Sequence, residues 1–285
     1  MVVYAMSAEL IKSIRMPERK AMDASFGRRI LHAPDFPLVL LFTPKAGCTS
    51  LTKWFLFQVG KLEEATAYHH WIHRYRTNVL CRQDGYKQDA TRLLRGREKP
   101  VVKLVRNPYS RAVSSFLSTL NNAHGQSPKS WAHELIVAAR TRAGKPVGEK
   151  TALSFLDFLA FVAANGTERR QINGHIARQH AAGEERLGAR IMKLEQFAVD
   201  IRQLESEYGL AQSPLDLITR SQHHRSASQN GATAPVWSAD LEITTEQVRQ
   251  FRKGGIPSYD TLYDAASRRL VRECFAADFE AYGYE

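Results

Sequence analysis

Three features of this chain predict an α/β fold, with a mostly parallel central sheet flanked by helices. Two short apolar runs, within Pro37–Thr43 and over Val101–Val105, have the length and β-branched or leucine content of buried strands. Each run leads through a brief turn into a segment with helical periodicity. Strand and helix signals then alternate along the 285 residues, with no internal repeat and no heptad pattern.

Taken in order, residues 1–35 read as helical or irregular, with a basic pair at Arg28-Arg29. The first apolar run breaks at Pro44 and re-enters order near Thr49, where Leu51, Trp54, Phe55 and Phe57 give a helix to Gln58 that can pack on a sheet. Tyr68–Tyr75 is rich in histidine and aromatics, and Gln83–Arg97 reads as a basic helix. After the second strand, Asn107 is a good N-cap and Pro108 suits the first helical position, so a helix is expected over about Ser110–Leu120. Further helices are expected over Lys129–Arg140 and Ser154–Ala164, the latter closed by Asn165-Gly166. A flexible stretch, Ala143–Lys150, separates those two. Residues 211–240 read as a long polar loop and Ser258–Tyr282 as one final helix. The reading is one domain over 1–285, its motif-bearing core beginning near residue 36.

Composition narrows the class. Hydrophobic residues at 44% and charged residues at 24% are ordinary for a globular protein of this length. A net charge of +11 fits an anionic ligand and would also fit nucleic acid. Cys48, Cys81 and Cys274 lie far apart in no metal-ligand spacing, which argues against a zinc site or a disulfide framework and for a reducing compartment. The N-terminal stretch is interrupted by Glu9, Lys12 and Arg15, so it does not read as a signal peptide or membrane anchor. A cytoplasmic location is the expectation.

The chemistry concentrates in Thr43-Pro-Lys-Ala-Gly-Cys-Thr-Ser50. A strand passing through a small-residue turn into a helix presents backbone N–H groups at the positive end of the helix dipole, which suits a phosphate or sulfate. Lys45 adds a cation, Gly47 allows close approach, and Thr49 and Ser50 add hydroxyl donors. The nucleotide-binding Walker loop places its lysine after the last glycine, directly before the hydroxyl residue. Here Lys45 comes first and Gly47 follows. Downstream, Arg106 ends the second strand, with Ser114 two turns into the next helix. That pair can hold a second phosphate, the guanidinium making bidentate contacts. Arg111 between them can assist there or pair with a carboxylate.

Pro44-Lys-x-Gly-x-Thr-Ser50 resembles the 5′-phosphosulfate loop of sulfotransferases that use 3′-phosphoadenylyl sulfate (PAPS), and Arg106-x-Pro-x-x-Arg-x-x-Ser-x-Phe116 resembles their 3′-phosphate segment. The carbohydrate branch (chondroitin, HNK-1 and uronyl type, sulfotransferase family 2) is the most similar. Gly47-Cys48-Thr49, His175-Ile-Ala-Arg-Gln179, Ile191-Met-Lys-Leu-Glu195, Asp200–Glu205 and the closing Asp278-Phe-Glu-Ala-Tyr-Gly-Tyr284 carry that likeness, although the aromatic and proline often found between the His and Gln are absent. The resemblance implies a P-loop-like three-layer sandwich. It implies PAPS held by Lys45, Ala46, Gly47, Cys48, Thr49, Ser50, Arg106 and Ser114, with no metal and with Lys45 neutralising the leaving phosphate. A carbohydrate or other hydroxylated acceptor then needs a general base. His175 is the first candidate, with His69, His70 and His73 as alternatives. Cys48 reads as a packing residue. His223–Ser228 and Arg252-Lys253-Gly254 are further candidates for the nucleotide site. Three other readings stand beside this one: a kinase or NTPase with a degenerate loop, a basic nucleic-acid-binding protein, and a sulfotransferase-like protein that binds nucleotide without transfer. Neither nucleic acid nor a membrane is the expected partner.

Overall fold

The computed structural model describes residues 29–123, 129–147, 152–219, 237–254 and 258–285, with the backbone alone for 251–254. The described residues pack as two compact units: those within 1–43, 51–105 and 179–213 form the first, and those within 44–50, 106–178 and 214–285 the second. Among the described residues the strands are β1 (Ile30–Leu31), β2 (Val39–Phe42), β3 (Val101–Val105), β4 (Ala152–Leu153), β5 (Arg190–Lys193) and β6 (Ile243–Thr244).

The first unit contains a four-stranded sheet in the order β1-β2-β3-β5. β2 and β3 run parallel with Val39 opposite Val101, and β3 and β5 run parallel with Val102 opposite Arg190. The expected mostly parallel sheet is therefore present, with β2 and β3 where the two apolar runs place them. Every residue of β2 and β3 is buried, which explains the unbroken apolar runs. The exception is Lys103, whose Nζ donates to the Gln179 carbonyl at 2.9 Å and meets Glu184 Oε2 at 2.5 Å. A buried ammonium persists only when paired in this way. Helices belonging to this unit include Leu62–Tyr68, Ile72–Asn78, Tyr86–Gly96 and Phe197–Glu207. Ala90, Leu93 and Leu94 of the third pack with Ile30, Val39, Leu41 and Val101. Glu205 on the fourth accepts from Trp54 Nε1 at 3.0 Å and from the Ser213 amide at 3.0 Å.

The second unit is mainly helical. Helices Pro108–Ala123, Trp131–Arg142, Phe155–Asn165 and Ala265–Cys274 bury a common core that includes Phe116, Leu120, Ile136, Phe155, Phe158, Val162 and Val271. β4 and β6 form a short antiparallel pair.

Four local expectations are corrected. β1, placed in a segment read as helical or irregular, pairs antiparallel with β2. The long polar loop contains a short helix, Leu215–Thr219, that buries Ile218. The basic segment from Gln83 becomes a helix only at Tyr86, after Gly85 takes φ +76°. The single terminal helix is three elements: a 3-10 turn at Tyr259–Leu262 and helices Ala265–Cys274 and Ala276–Tyr282. Asp264 restarts the chain there with a capping box, its carboxylate accepting from the Ser267 amide while Ser267 Oγ meets the Asp264 amide. At Phe275, with φ −115° and ψ 25°, the helical ladder is interrupted again.

Candidate functional site

The loop 44–50, Arg106, Arg111, Ser114 and His175 all belong to the second unit. Lys45 sits at φ +69° and Gly47 at φ +81°, flanking the fully buried Ala46. A left-handed lysine costs roughly 1–2 kcal/mol, because Cβ crowds the following carbonyl. Such strain persists only where the surroundings over-determine it. Here two guanidinium groups do so. Arg106 Nη1 donates to the Lys45 carbonyl at 3.2 Å, and Arg111 Nε donates to the Pro44 carbonyl at 3.1 Å. Successive carbonyls, one on each side of the strained residue, are thereby fixed. The helix Cys48–Gln58 starts directly after Gly47, one residue earlier than expected, so Thr49 and Ser50 occupy its first turn. Left-handed residues in a turn before a helix N-terminus are the backbone geometry of an anion-binding concavity.

Arg106 is itself positioned by three partners. Its Nε donates to Ser110 Oγ at 2.9 Å, and its guanidinium lies 5.6 Å from the Tyr259 ring centroid. Asn107 caps the following helix as the sequence predicts, Oδ1 accepting from the Tyr109 amide at 2.9 Å. Ser114, two turns on, is half-buried.

Of the two roles expected of it, Arg111 has the carboxylate neighbour, Asp278, and it also braces the loop. It is fully buried, and its other donor, Nη2, meets the Ala177 carbonyl at 2.7 Å. Burial pulls its guanidinium down to about 10, opposed by the Asp278 carboxylate and reinforced by Arg106, so it stays charged near neutrality. Ser115, four residues on and one position past Ser114, donates through Oγ to the His175 carbonyl at 2.7 Å. One face of the helix Pro108–Ala123 thus holds the strained loop and the turn bearing His175 together.

His175 is exposed, yet its ring is restrained. It lies parallel to the Trp131 indole, with 3° between planes and centroids 5.6 Å apart. Asn173 Oδ1 lies 2.9 Å from both its backbone nitrogen and its Nδ1. The alternative histidines, His69, His70 and His73, belong to the first unit. The His69 and His70 rings lie 4.1 Å apart. His69 Nδ1 accepts from the Trp71 amide at 2.8 Å. Residual burial, then the charges of His70 and Arg74, hold His69 below the usual histidine range.

Sequence reasoning missed Ser110, Tyr259, Ser115, Trp131 and Asn173. Only Asn173 carried a local signal, since an Asn two residues before its partner commonly forms a turn closed by its own side chain. The rest depend on tertiary placement. His223–Ser228 lies outside the described residues, as do the side chains of Arg252-Lys253-Gly254, whose backbone ends the helix Thr245–Gly254. None of Cys48, Cys81 and Cys274 is in a disulfide. Among the described residues no cluster of His, Cys, Asp or Glu is placed to hold a metal ion, and no helix is long and apolar enough to cross a membrane.

Comparison with family models gives a match to the sulfotransferase family over residues 28–285. No significant match was found among curated proteins or solved structures. The match takes in both compact units, including the clamped loop, Arg106 and His175. This chain belongs to the sulfotransferase family, within sulfotransferase family 2.

Proposed function

We propose that the chain transfers a sulfuryl group from PAPS to a hydroxyl of a carbohydrate-like acceptor. The observation that carries this reading is the loop around Lys45, strained at φ +69°, clamped through the carbonyls of Pro44 and Lys45, and opening onto a helix N-terminus. The loop geometry suits a 5′-phosphosulfate, with the amides around Gly47 and the hydroxyls of Thr49 and Ser50 as donors. Ala46 and Cys48 line the loop by backbone and small side chain. Arg106 and Ser114 take the 3′-phosphate, Arg106 being already held in place by Ser110 and Tyr259.

In this reading His175 removes the proton from the acceptor hydroxyl through Nε2. The acceptor oxygen forms a bond to sulfur as the bond from sulfur to the 5′-phosphate oxygen breaks. Adenosine 3′,5′-bisphosphate leaves, and the Lys45 ammonium neutralises the charge that develops on its 5′-phosphate. As in phosphoryl transfer, positioning and charge stabilisation supply most of the rate. No step calls on a metal. A P-loop-like three-layer core, one sulfotransferase domain running through both units, and a cytoplasmic location belong to the same reading. The family match supports neither the NTPase nor the nucleic-acid alternative.

The test is release of adenosine 3′,5′-bisphosphate from PAPS in the presence of hydroxylated glycan acceptors. Wild type is expected to release it in an acceptor-dependent way, and Lys45→Ala to lose roughly 10²–10³-fold in kcat. Acceptor-independent release, or equal rates in the two proteins, overturns the proposal.

A further inference from the structure

We infer that Asn173 is a positioning residue that sets the tautomer of His175, placing the proton on Nδ1 and the basic lone pair on Nε2. The inference rests on the reading of His175 as the general base. The backbone N–H of His175 can only donate, so the Asn173 atom 2.9 Å from it is the amide oxygen, not the nitrogen. That fixes the orientation of the Asn173 amide, which is otherwise ambiguous. The same oxygen lies 2.9 Å from His175 Nδ1. An amide oxygen cannot donate, so Nδ1 must carry the hydrogen. In neutral imidazole the lone pair then resides on Nε2. The tautomer follows from one backbone amide and one carbonyl oxygen.

The rest of the environment fits a ring held for a purpose. An exposed histidine ordinarily exchanges rotamers freely in picoseconds to nanoseconds. His175 is exposed but fixed at four points: the amide and Nδ1 by Asn173, the carbonyl by Ser115 Oγ at 2.7 Å, and the ring face by Trp131. Ser115 lies on the same helix face as Arg111, which clamps Pro44 in the strained loop. The base and the anion loop therefore share one support within the second unit. A base oriented by a third group on its far nitrogen is the general logic of activated proton acceptors. Asn173 supplies that group with a neutral oxygen, which orients the imidazole without adding charge.

The experiment is nitrogen-15 NMR of the histidine rings at alkaline pH, where imidazoles are neutral, with the His175 signals assigned by their loss in His175→Gln. Wild type is expected to show the Nδ1–H form at His175. Asn173→Ala is expected to move that ring toward the Nε2–H form, with kcat falling about tenfold and the KM for PAPS unchanged. That loss is smaller than the roughly 10²–10⁴-fold attached to removing a general base outright, which is the expectation for His175→Ala. Asn173→Asp, which keeps an acceptor oxygen at both positions, is expected to retain the Nδ1–H form and most of the rate. An Nε2–H ring in wild type, or an unchanged ring in Asn173→Ala, overturns the inference while a crippled His175→Ala keeps the base reading intact. Conversely, full activity in His175→Ala removes the base reading, and the catalytic role of Asn173 with it, whatever the spectrum shows.

Discussion

The guanidinium of Arg106 donates to the carbonyl oxygen of Lys45, 3.2 Å away, so the residue expected to bind one end of the nucleotide also braces the loop expected to bind the other. With Arg111 on the preceding carbonyl, this contact accounts for a lysine resting in the left-handed region.

That strain gives a prediction separable from activity. Lys45→Ala and Lys45→Gly both delete the ammonium, so both are expected to lose roughly 10²–10³-fold in kcat. They should differ in stability. Alanine keeps the left-handed penalty and glycine relieves it, against some added freedom in the unfolded chain. Lys45→Gly is expected to be the more stable of the two by about 1 kcal/mol in denaturant titration. Equal stabilities would show that the backbone relaxes once the side chain is gone.

Arg111 offers a contrast. It is buried and donates to the carbonyls of Pro44 and Ala177. Arg111→Met would fill similar volume but leave two carbonyls without their donor and Asp278 without its nearby cation. A loss of about 3–5 kcal/mol is expected, as for other broken buried charge networks. Arg106→Ala is expected to cost less stability, about 1–2 kcal/mol, and more bisphosphate affinity. Chemical denaturation alongside bisphosphate titration separates the two arginines, and a stable Arg111→Met protein with wild-type affinity would refute the clamp.

His32 supplies a pH dependence away from the site. It donates through Nε2 to the Tyr86 carbonyl at 2.9 Å and stacks on the Tyr86 ring at 4.1 Å. Burial lowers its pKa below the ordinary 6.5, outweighing the Tyr86 carbonyl and Asp89, which raise it; Lys99 and Arg92 lower it further. Between the folded and unfolded values the unfolded chain binds more protons, so stability rises with pH. The His32 contribution is complete above pH 6.5 and is lost as pH falls from there through the folded value. Thermal unfolding followed from about pH 7.5 to about pH 5 should show a shallower decline in His32→Gln than in wild type. Parallel curves would contradict the assignment.

Much of the architecture was legible because it is local. Val101–Val105 is a strand over its predicted span, and Asn107-Pro108 starts its helix as predicted, since both signals are short-range. β1 was not legible because Ile30-Leu31 is only two residues long and depends on pairing with Leu40 and Leu41. The terminal helix was overread because Phe275 breaks it without a glycine or proline to mark the break. At the site, the residues touching anions in the proposed reading were visible as motifs. The braces were not, because Arg111, Ser115 and Trp131 act across gaps in sequence that no local pattern reveals.

The central claim is that two strand-to-helix turns grip the two phosphates of one adenosine nucleotide, and a thermal-shift comparison of adenosine 3′,5′-bisphosphate with ATP and magnesium tests it most directly. The account predicts a clear upward shift with the bisphosphate, little with ATP, a bisphosphate shift much reduced in Arg106→Ala, and one largely retained in Lys45→Ala. A larger shift with ATP and magnesium, or a bisphosphate shift unaffected by Arg106→Ala, would contradict it.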